Sequence, residues 1–432
     1  MKIRNMKLPK CLLLMRKYLG MISDMIYILL FTMLFVTSFL SNTQFQIPWM
    51  EWIQEENLRS YLIEHVLFRP QRVLLIVLIC RYLFSCTCHL KEYLMTALMC
   101  LCIVRACDTG IRETESIAVF LLLLLGAKDL PFRKLMWWFT FWVEVLFITT
   151  VIASQTGYVE NLVYLMEGRN IRIAFGFMYP TVFAAQLFFL FLCLWYLAGE
   201  RWNLTLAVGA LLAAIFVYKG CEARLTTASF VLLSAVQSIR GIKIWMARKR
   251  QKFYRLDKRV ADGLVVFPLV CVLGVHILSI YYNPNVEWMT GLNQLFSNRI
   301  RLAKKGIQIY GFRLWGNDIH MIGYGGSTEV QSRYFYLDSS YMQISLISGM
   351  VILGIALCLM LMACYRANKE HEWVLLWILA FASMHALFEE HLLNLAICPF
   401  LFAATMHLGK RKRMAYKVEK KEAADGKEIR EG

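Results

Sequence analysis

Residues 21–40 read MISDMIYILLFTMLFVTSFL, an apolar stretch of the length that an α-helix needs to cross a membrane core about 30 Å thick. It is too long for the core of a signal peptide and has no small-residue cleavage site, so we expect it to remain as a first span. Similar runs recur along the whole 432-residue chain, which is 59% hydrophobic and only 18% charged. Such a composition predicts a polytopic membrane protein and excludes a soluble domain.

The apolar runs predict helices and not the strands of a β-barrel. A spanning barrel strand alternates apolar and polar residues, whereas residues 121–125 are five consecutive leucines. A spanning backbone must satisfy its own polar groups, which a helix does within one segment. We therefore predict an all-α polytopic bundle of about twelve transmembrane helices. The predicted spans are 21–40, 71–88, 93–107, 116–127, 135–155, 177–198, 203–219, 226–240, 261–282, 340–364, 374–388 and 392–408.

The charges of the chain predict its orientation. The formal net charge is +17. The Lys and Arg residues lie in short runs between apolar spans and do not form a basic face on a soluble domain. We therefore expect no nucleic acid as a partner. The positive-inside rule puts both termini in the cytoplasm of a multi-pass protein of the cytoplasmic membrane. The predicted parts are a basic cytoplasmic segment (1–20), spans one to nine (21–282), a long extracytoplasmic loop (283–339), spans ten to twelve (340–408) and a basic cytoplasmic tail (409–432).

The long loop at 283–339 has an unusual composition for a linker. It combines aromatic residues, glycines and basic residues, which supply stacking faces, turns and anion-binding groups. Helical spacing is predicted from Trp288 to Gly306, and a turn-rich segment from Gly311 to Gly326. The loop is thus expected to contain structure of its own.

Arginines recur in segments predicted to face outward, where the positive-inside rule disfavours them. They are Arg169, Arg172, Arg224, Arg299, Arg301 and Arg313. A guanidinium carries a permanent charge on a fixed donor fork that suits phosphate oxygens. An alternative is that these arginines pair with lipid headgroups or with Glu160, Glu167 and Glu222.

Five short segments form the most specific pattern of the sequence. They read RIAFGFMYPT (172–181), CEARLTTA (221–228), LNQLFSNRI (292–300), LDSSY (337–341) and ALFEE (386–390). In this order they resemble the Wzy-type polysaccharide polymerases, which share a superfamily with the O-antigen ligases. Thr181 and Ser339 stand where that family usually has Asn. The resemblance implies a GT-C-like polymerase/ligase bundle with one long extracytoplasmic loop.

The resemblance also implies a reaction. These enzymes join oligosaccharide repeat units carried on undecaprenyl diphosphate, at the outer face of the cytoplasmic membrane. The expected partners are therefore that lipid-linked oligosaccharide, membrane lipid, and a chain-length regulator and flippase. The sequence has no Asp-x-Asp pair of the kind that holds a divalent metal in many glycosyltransferases, so no metal and no cofactor are expected.

The hypothesis for the site follows from these motifs. Arg299, Glu389, Glu390 and Asp338 are the predicted catalytic residues, with Arg299 on the diphosphate and the carboxylates as candidate bases. The predicted diphosphate- or glycan-binding residues are Arg172, Arg224, Arg301, Arg313 and Tyr341. An alternative role for Asp338 is a helix N-cap, because Ser339 to Tyr341 begin the next predicted helix.

Two other functions stay open at this point. An O-antigen-ligase-type transferase would share the arginines and the loop but use another acceptor. A lipid-linked oligosaccharide flippase or transporter would need charges at mid-membrane depth, for which Asp24, Arg81 and Glu144 are the candidates.

Overall fold

The computed structural model describes residues 10–45, 70–86, 89–165, 171–249, 256–323 and 334–409. The start of the basic N-terminal segment, residues 324–333 of the long loop and the tail from residue 410 lie outside these ranges, as do Glu167 and Arg169. The helices are α1 (Lys10–Leu40), α2 (Pro70–Phe84), α3 (Leu90–Cys107), α4 (Arg112–Gly126), α5 (Phe132–Gln155), α6 (Pro180–Ala198), α7 (Asn203–Cys221), α8 (Arg224–Lys249), α9 (Lys258–Tyr281), α10 (Glu287–Leu295), α11 (Arg299–Tyr310), α12 (Ser340–Gln343), α13 (Met350–Lys369) and α14 (Trp373–His385). One two-stranded antiparallel hairpin joins β1 (Val163–Tyr164) to β2 (Arg172–Ile173).

Seven of the described helices are long and apolar enough to cross a membrane, namely α1, α5, α6, α7, α8, α9 and α13. This confirms an all-α membrane protein with several spans. Helix α6 is apolar on every side and 72% of its span is buried, whereas 28% of the α5 span is buried. Thus α6 lies inside the bundle and α5 presents most of its apolar surface outward, as a lipid-facing helix does.

Hydrogen bonds between connecting segments define two ends of the bundle. At one end, which we call the loop end, Gln44 N donates to Gly176 O at 2.9 Å and Thr114 Oγ1 to Ser348 Oγ at 3.0 Å. At the other, which we call the tail end, Phe132 N donates to His407 O at 2.9 Å. The long loop and the β1–β2 hairpin both belong to the loop end.

Most of the predicted spans coincide with a helix, and the two exceptions follow α11. The predicted span 340–364 is broken: α12 continues into a short π-helix (Ile344–Ser348), which stops at Gly349, and α13 starts afresh at Met350. The predicted helical span 392–408 is wrong, because this segment is made of turns and one 3₁₀-helix (Phe400–Ala404). Pro399 lacks an amide N–H and restricts the residue before it, which disfavours a continuous helix.

The non-helical segment 392–408 still connects the loop end to the tail end. Irregular backbone at membrane depth needs partners inside the protein, and this segment is buried apart from Asn394, Thr405 and His407. Its carbonyls are satisfied by side chains: Gln186 Nε2 donates to Ala396 O at 3.0 Å. Arg366 donates to the carbonyls of Ala403, Ala404 and Met406 at 2.5–2.9 Å.

The long loop docks on the break before α13 through backbone contacts. Met350 N donates to Arg313 O at 3.0 Å, and Asn317 N donates to Leu346 O at the same distance. Gly316 and Gly349 have φ values of +85° and +98°, which L side chains rarely adopt. A Cβ at Gly316 would also lie 1.8 Å from Ile347 O. Two glycines therefore make this docking possible.

We predict that Gly316→Ala strongly destabilises the protein, because the added methyl must displace the backbone of Ile347. Gly354→Ala is the matched control. Gly354 lies within α13 with nothing within 4 Å of an added Cβ, so this change is neutral or stabilises by up to about 1 kcal/mol. Thermal unfolding of the purified protein in detergent compares the two variants. Equal unfolding temperatures would contradict the docking.

Candidate functional site

Arg299 is the centre of a polar cluster at the loop end. It opens α11 directly after Asn298, which occupies the left-handed region at φ +67° that Asn tolerates. Its side chain is only 12% exposed. Nη1 donates to Glu389 Oε1 at 3.0 Å, and Nε lies 3.3 Å from Asp338 Oδ2. Nη2 has no hydrogen-bond partner among the described residues.

The two carboxylates reach Arg299 from segments that are themselves joined. Asp338 immediately precedes α12, and Glu389 lies in the turn after α14. Ser340 connects the two segments, since its amide donates to Ala386 O at 3.0 Å and its hydroxyl to Glu389 O at 2.5 Å. The N-cap position of α12 is occupied by Ser339, so the alternative role of Asp338 as that N-cap is wrong.

Glu390 is held separately from Arg299. The Tyr336 hydroxyl lies 2.6 Å from both carboxylate oxygens, and Gln343 Nε2 donates to Oε2 at 2.7 Å. Unlike Glu389, which is buried, Glu390 is partly exposed. A carboxylate that is fixed by hydrogen bonds, on a residue that is partly exposed, is suited to proton transfer to or from a ligand.

Burial changes the acidity of this cluster. It raises the pKa of Glu389 to about 7, against the opposing charge of Arg299. It also raises the pKa of Glu390 to about 7, although hydrogen bonds from Tyr336 and Gln343 oppose the rise. The pKa of Asp338 is raised by burial as well, with Arg299 opposing. Carboxyl groups that titrate near neutral pH are suited to general acid–base catalysis.

Two histidines, His385 and His391, lie close to Glu389. His391 Nε2 is 4.0 Å from Glu389 Oε2, and the His391 ring stacks with that of His385 at a centroid distance of 6.1 Å. His385 also stacks on Phe188. Both histidines are buried, and none of their ring nitrogens has a hydrogen-bond partner within the described part of the chain.

The other predicted arginines differ in their partners and in their exposure. Arg172, on β2, donates from Nε to Cys221 O at 3.0 Å, and its charge lowers the pKa of Glu389, as that of Arg299 does more strongly. Arg224 is 54% exposed and pairs with Glu222 at 2.6 Å. Arg301 and Arg313 both expose their side chains.

Tyr341 is placed away from the cluster. Its side chain is 3% exposed within the apolar core, and its hydroxyl donates to Ser383 O at 3.0 Å. The structure therefore gathers Arg299, Asp338, Glu389 and Glu390 into one site but gives Tyr341 a packing position.

No family model, no curated protein and no solved structure matches this chain. The resemblance to the polysaccharide polymerases therefore stays a prediction from motifs.

Three residues of the cluster were not singled out from the sequence: Tyr336, Gln343 and His391. Tyr336 was one of many loop aromatics, and Gln343 had no motif around it. His391 follows the Glu389–Glu390 pair directly, and that adjacency was the one available signal.

Asp24, Arg81 and Glu144 are the charged residues that a transporter would need at mid-membrane depth. Arg81 is 1% exposed, forms an ion pair with Asp24 and donates to Gly126 O at 2.6 Å and Lys128 O at 3.1 Å. These carbonyls belong to the tail end of α4 and the turn after it, so this pair fixes a helix end and does not line a path at mid-depth. Glu144 lies on α5.

The raised pKa of Glu390 predicts how stability depends on pH. Because its pKa rises from an ordinary 4.5 to about 7, the folded protein keeps a proton that the unfolded chain has released between these values. Its contribution to stability is fully present below about pH 4.5 and is lost as the pH rises through about 7. We expect the unfolding temperature of Glu390→Gln to fall less than that of the wild type between pH 5 and pH 8. Parallel curves would show that Glu390 does not titrate in this range.

Proposed function

We propose that the protein polymerises oligosaccharide repeat units carried on undecaprenyl diphosphate into a surface polysaccharide, at the outer face of the cytoplasmic membrane. The observation that carries the proposal is a site at one end of a membrane helix bundle that combines Arg299 with Glu390, a carboxyl whose pKa is raised by burial to about 7. Acid–base and phosphate-binding groups are what glycosyl transfer from a lipid diphosphate needs.

The proposed step uses Glu390 on the acceptor side. The carboxylate takes the proton of an acceptor hydroxyl as that oxygen forms a bond to the anomeric carbon of the donor sugar. The bond between this carbon and the diphosphate oxygen breaks, and its electron pair leaves with the lipid diphosphate. Tyr336 and Gln343 orient the carboxylate through the contacts of 2.6 and 2.7 Å.

Arginines serve the leaving group in this proposal. Two nitrogens of Arg299 are held by Glu389 and Asp338, which leaves Nη2 to donate to a diphosphate oxygen. Arg172 adds positive charge from the neighbouring hairpin, whereas the charge of Arg224 is balanced by Glu222. Because the sequence contains no Asp-x-Asp pair, the proposal assigns charge neutralisation to arginine and requires no metal.

We predict that Arg299→Ala abolishes polymer formation in cells lacking the wild-type gene, with single lipid-linked repeat units accumulating on the outer side of the membrane. Arg259→Ala is the matched control, because Arg259 is exposed at the start of α9, away from the loop end. Both variants are compared at equal expression by electrophoresis of the extracted glycan. Full polymer from Arg299→Ala would refute the assignment, and accumulation inside would favour a flippase.

Glu390→Gln tests the proton acceptor. The amide preserves the size of the side chain and its contact with Tyr336 but cannot take a proton. We expect the rate of polymer formation to fall by about 10²–10⁴-fold, which is the usual contribution of general base catalysis. A rate within a few-fold of the wild type, measured from the first minutes of polymer synthesis, would remove Glu390 from the mechanism.

A further inference from the structure

The Arg299 cluster contains more acid than one arginine can neutralise. Asp338 and Glu389 contact the guanidinium directly, at 3.3 and 3.0 Å, and Glu390 lies next in the chain. If all three carboxyls were ionised, their charge would exceed that of Arg299 and Arg172 together, and the site would repel an anionic ligand. An anion is therefore accepted more readily when one carboxyl is protonated.

Glu389 is the carboxyl whose protonation changes Arg299 most. It makes the shortest contact with the guanidinium, through Oε1, and is buried. When Glu389 is neutral, Asp338 is the one remaining anion in direct contact with Arg299 among the described residues. The positive charge of the guanidinium is then less neutralised, and Nη2 can donate a hydrogen bond to an anionic ligand.

His391 is positioned to accept a hydrogen bond from protonated Glu389. Its Nε2 lies 4.0 Å from Oε2, the oxygen of Glu389 that does not face Arg299. Both of its ring nitrogens are buried without a hydrogen-bond partner, which is costly unless some state of the protein supplies one. Burial and the nearby charge of Arg299 lower the pKa of His391 to about 3, so the imidazole is neutral and can accept. A small rotation of the carboxyl group would close the distance.

We propose that Arg299 is a proton-coupled binding site for a diphosphate anion, in which binding draws one proton onto Glu389 Oε2 and His391 Nε2 accepts the resulting hydrogen bond. His391 acts here as a positioning residue. The titratable and charged groups around Glu389 are Arg299, Asp338, Arg172, Glu390 and His391, and those around His391 are Glu389, Arg299 and His385. The inference rests on the proposed function for the identity of the natural anion.

The coupling predicts the pH dependence of affinity. Free Glu389 has a pKa of about 7, and bound anion raises it further. Affinity should then be about tenfold weaker at pH 8 than at pH 6, after correction for titration of the anion itself. Glu389→Gln mimics the neutral carboxyl permanently. It should bind with the wild-type affinity of pH 6 at both pH values, once the same correction is made.

The experiment measures binding to the full chain in lipid nanodiscs by calorimetry, with inorganic pyrophosphate and with farnesyl diphosphate as probes. Proton uptake is read from the dependence of the heat on the ionisation enthalpy of the buffer. Binding of farnesyl diphosphate alone identifies a lipid-linked ligand, and binding of both identifies the diphosphate group as sufficient. Either result with proton uptake in the wild type and none in Glu389→Gln supports the site. Equal uptake in the two proteins, or no binding of either probe, overturns it.

Variants of His391 separate its role from packing. His391→Phe keeps a ring but cannot accept, so affinity at pH 6 should fall about tenfold. His391→Gln offers a carbonyl oxygen and should restore most of the affinity and the proton uptake. If His391 had only a structural role, both variants would bind the anion less tightly, and proton uptake would stay at the wild-type value. His407→Phe, an exposed position at the tail end, is the control and should match the wild type.

Loss of polymer formation is not a readout of this experiment. If proton-coupled binding is observed but the cell makes polymer without the protein, the anion site stands and the proposed function fails. If the protein makes polymer but binds diphosphate without proton uptake, the function stands and the coupling fails.

Discussion

The buried charge of Arg299 is the constraint on which the site depends. A guanidinium removed from water must find opposite charge or hydrogen-bond acceptors within the fold. Arg299 finds them in Asp338 and Glu389, the second of them 90 positions away in the chain. The start of α11, the segment before α12 and the turn after α14 are thereby fixed to one another. The same contacts raise the pKa of Arg299, although burial alone would lower it.

This arrangement also explains why the end of the chain is irregular. A straight helix through 386–408 would leave no turn to bring Glu389 beside Arg299 and Glu390 beside Tyr336. The turn brings both carboxyls to the site, and the segment that follows obtains its hydrogen bonds from Gln186 and Arg366. Polar side chains inside the bundle thus replace the hydrogen bonds that a helix would have made for itself.

The sequence predicted the helices well where a long apolar run decides the structure, as in α1, α5 and α9. Apolarity could not distinguish a helix from the buried irregular segment at 392–408, because both exclude water equally. Pro399 was the available signal. The break at Gly349 depends on contact with Arg313 and Gly316, more than thirty positions earlier, and local patterns do not contain such contacts.

The site was predictable residue by residue but not as an arrangement. Arg299, Asp338, Glu389 and Glu390 were each expected, since they lie in the segments that resemble the polymerase motifs. Their division of roles was not: Glu389 neutralises Arg299, whereas Glu390 is held by Tyr336 and Gln343. That division depends on distances of 3.0 and 2.6 Å between segments far apart in the chain.

We propose that the Arg299 cluster transfers glycan from a lipid diphosphate. The most direct measurement reconstitutes the purified protein in liposomes with a lipid-diphosphate-linked repeat unit and a metal chelator, and follows product length by electrophoresis. The account predicts a ladder of polymers from the wild type and unreacted repeat units from Arg299→Ala. An identical ladder from both proteins, or no product from a correctly folded wild type at any pH from 6 to 8, would contradict it.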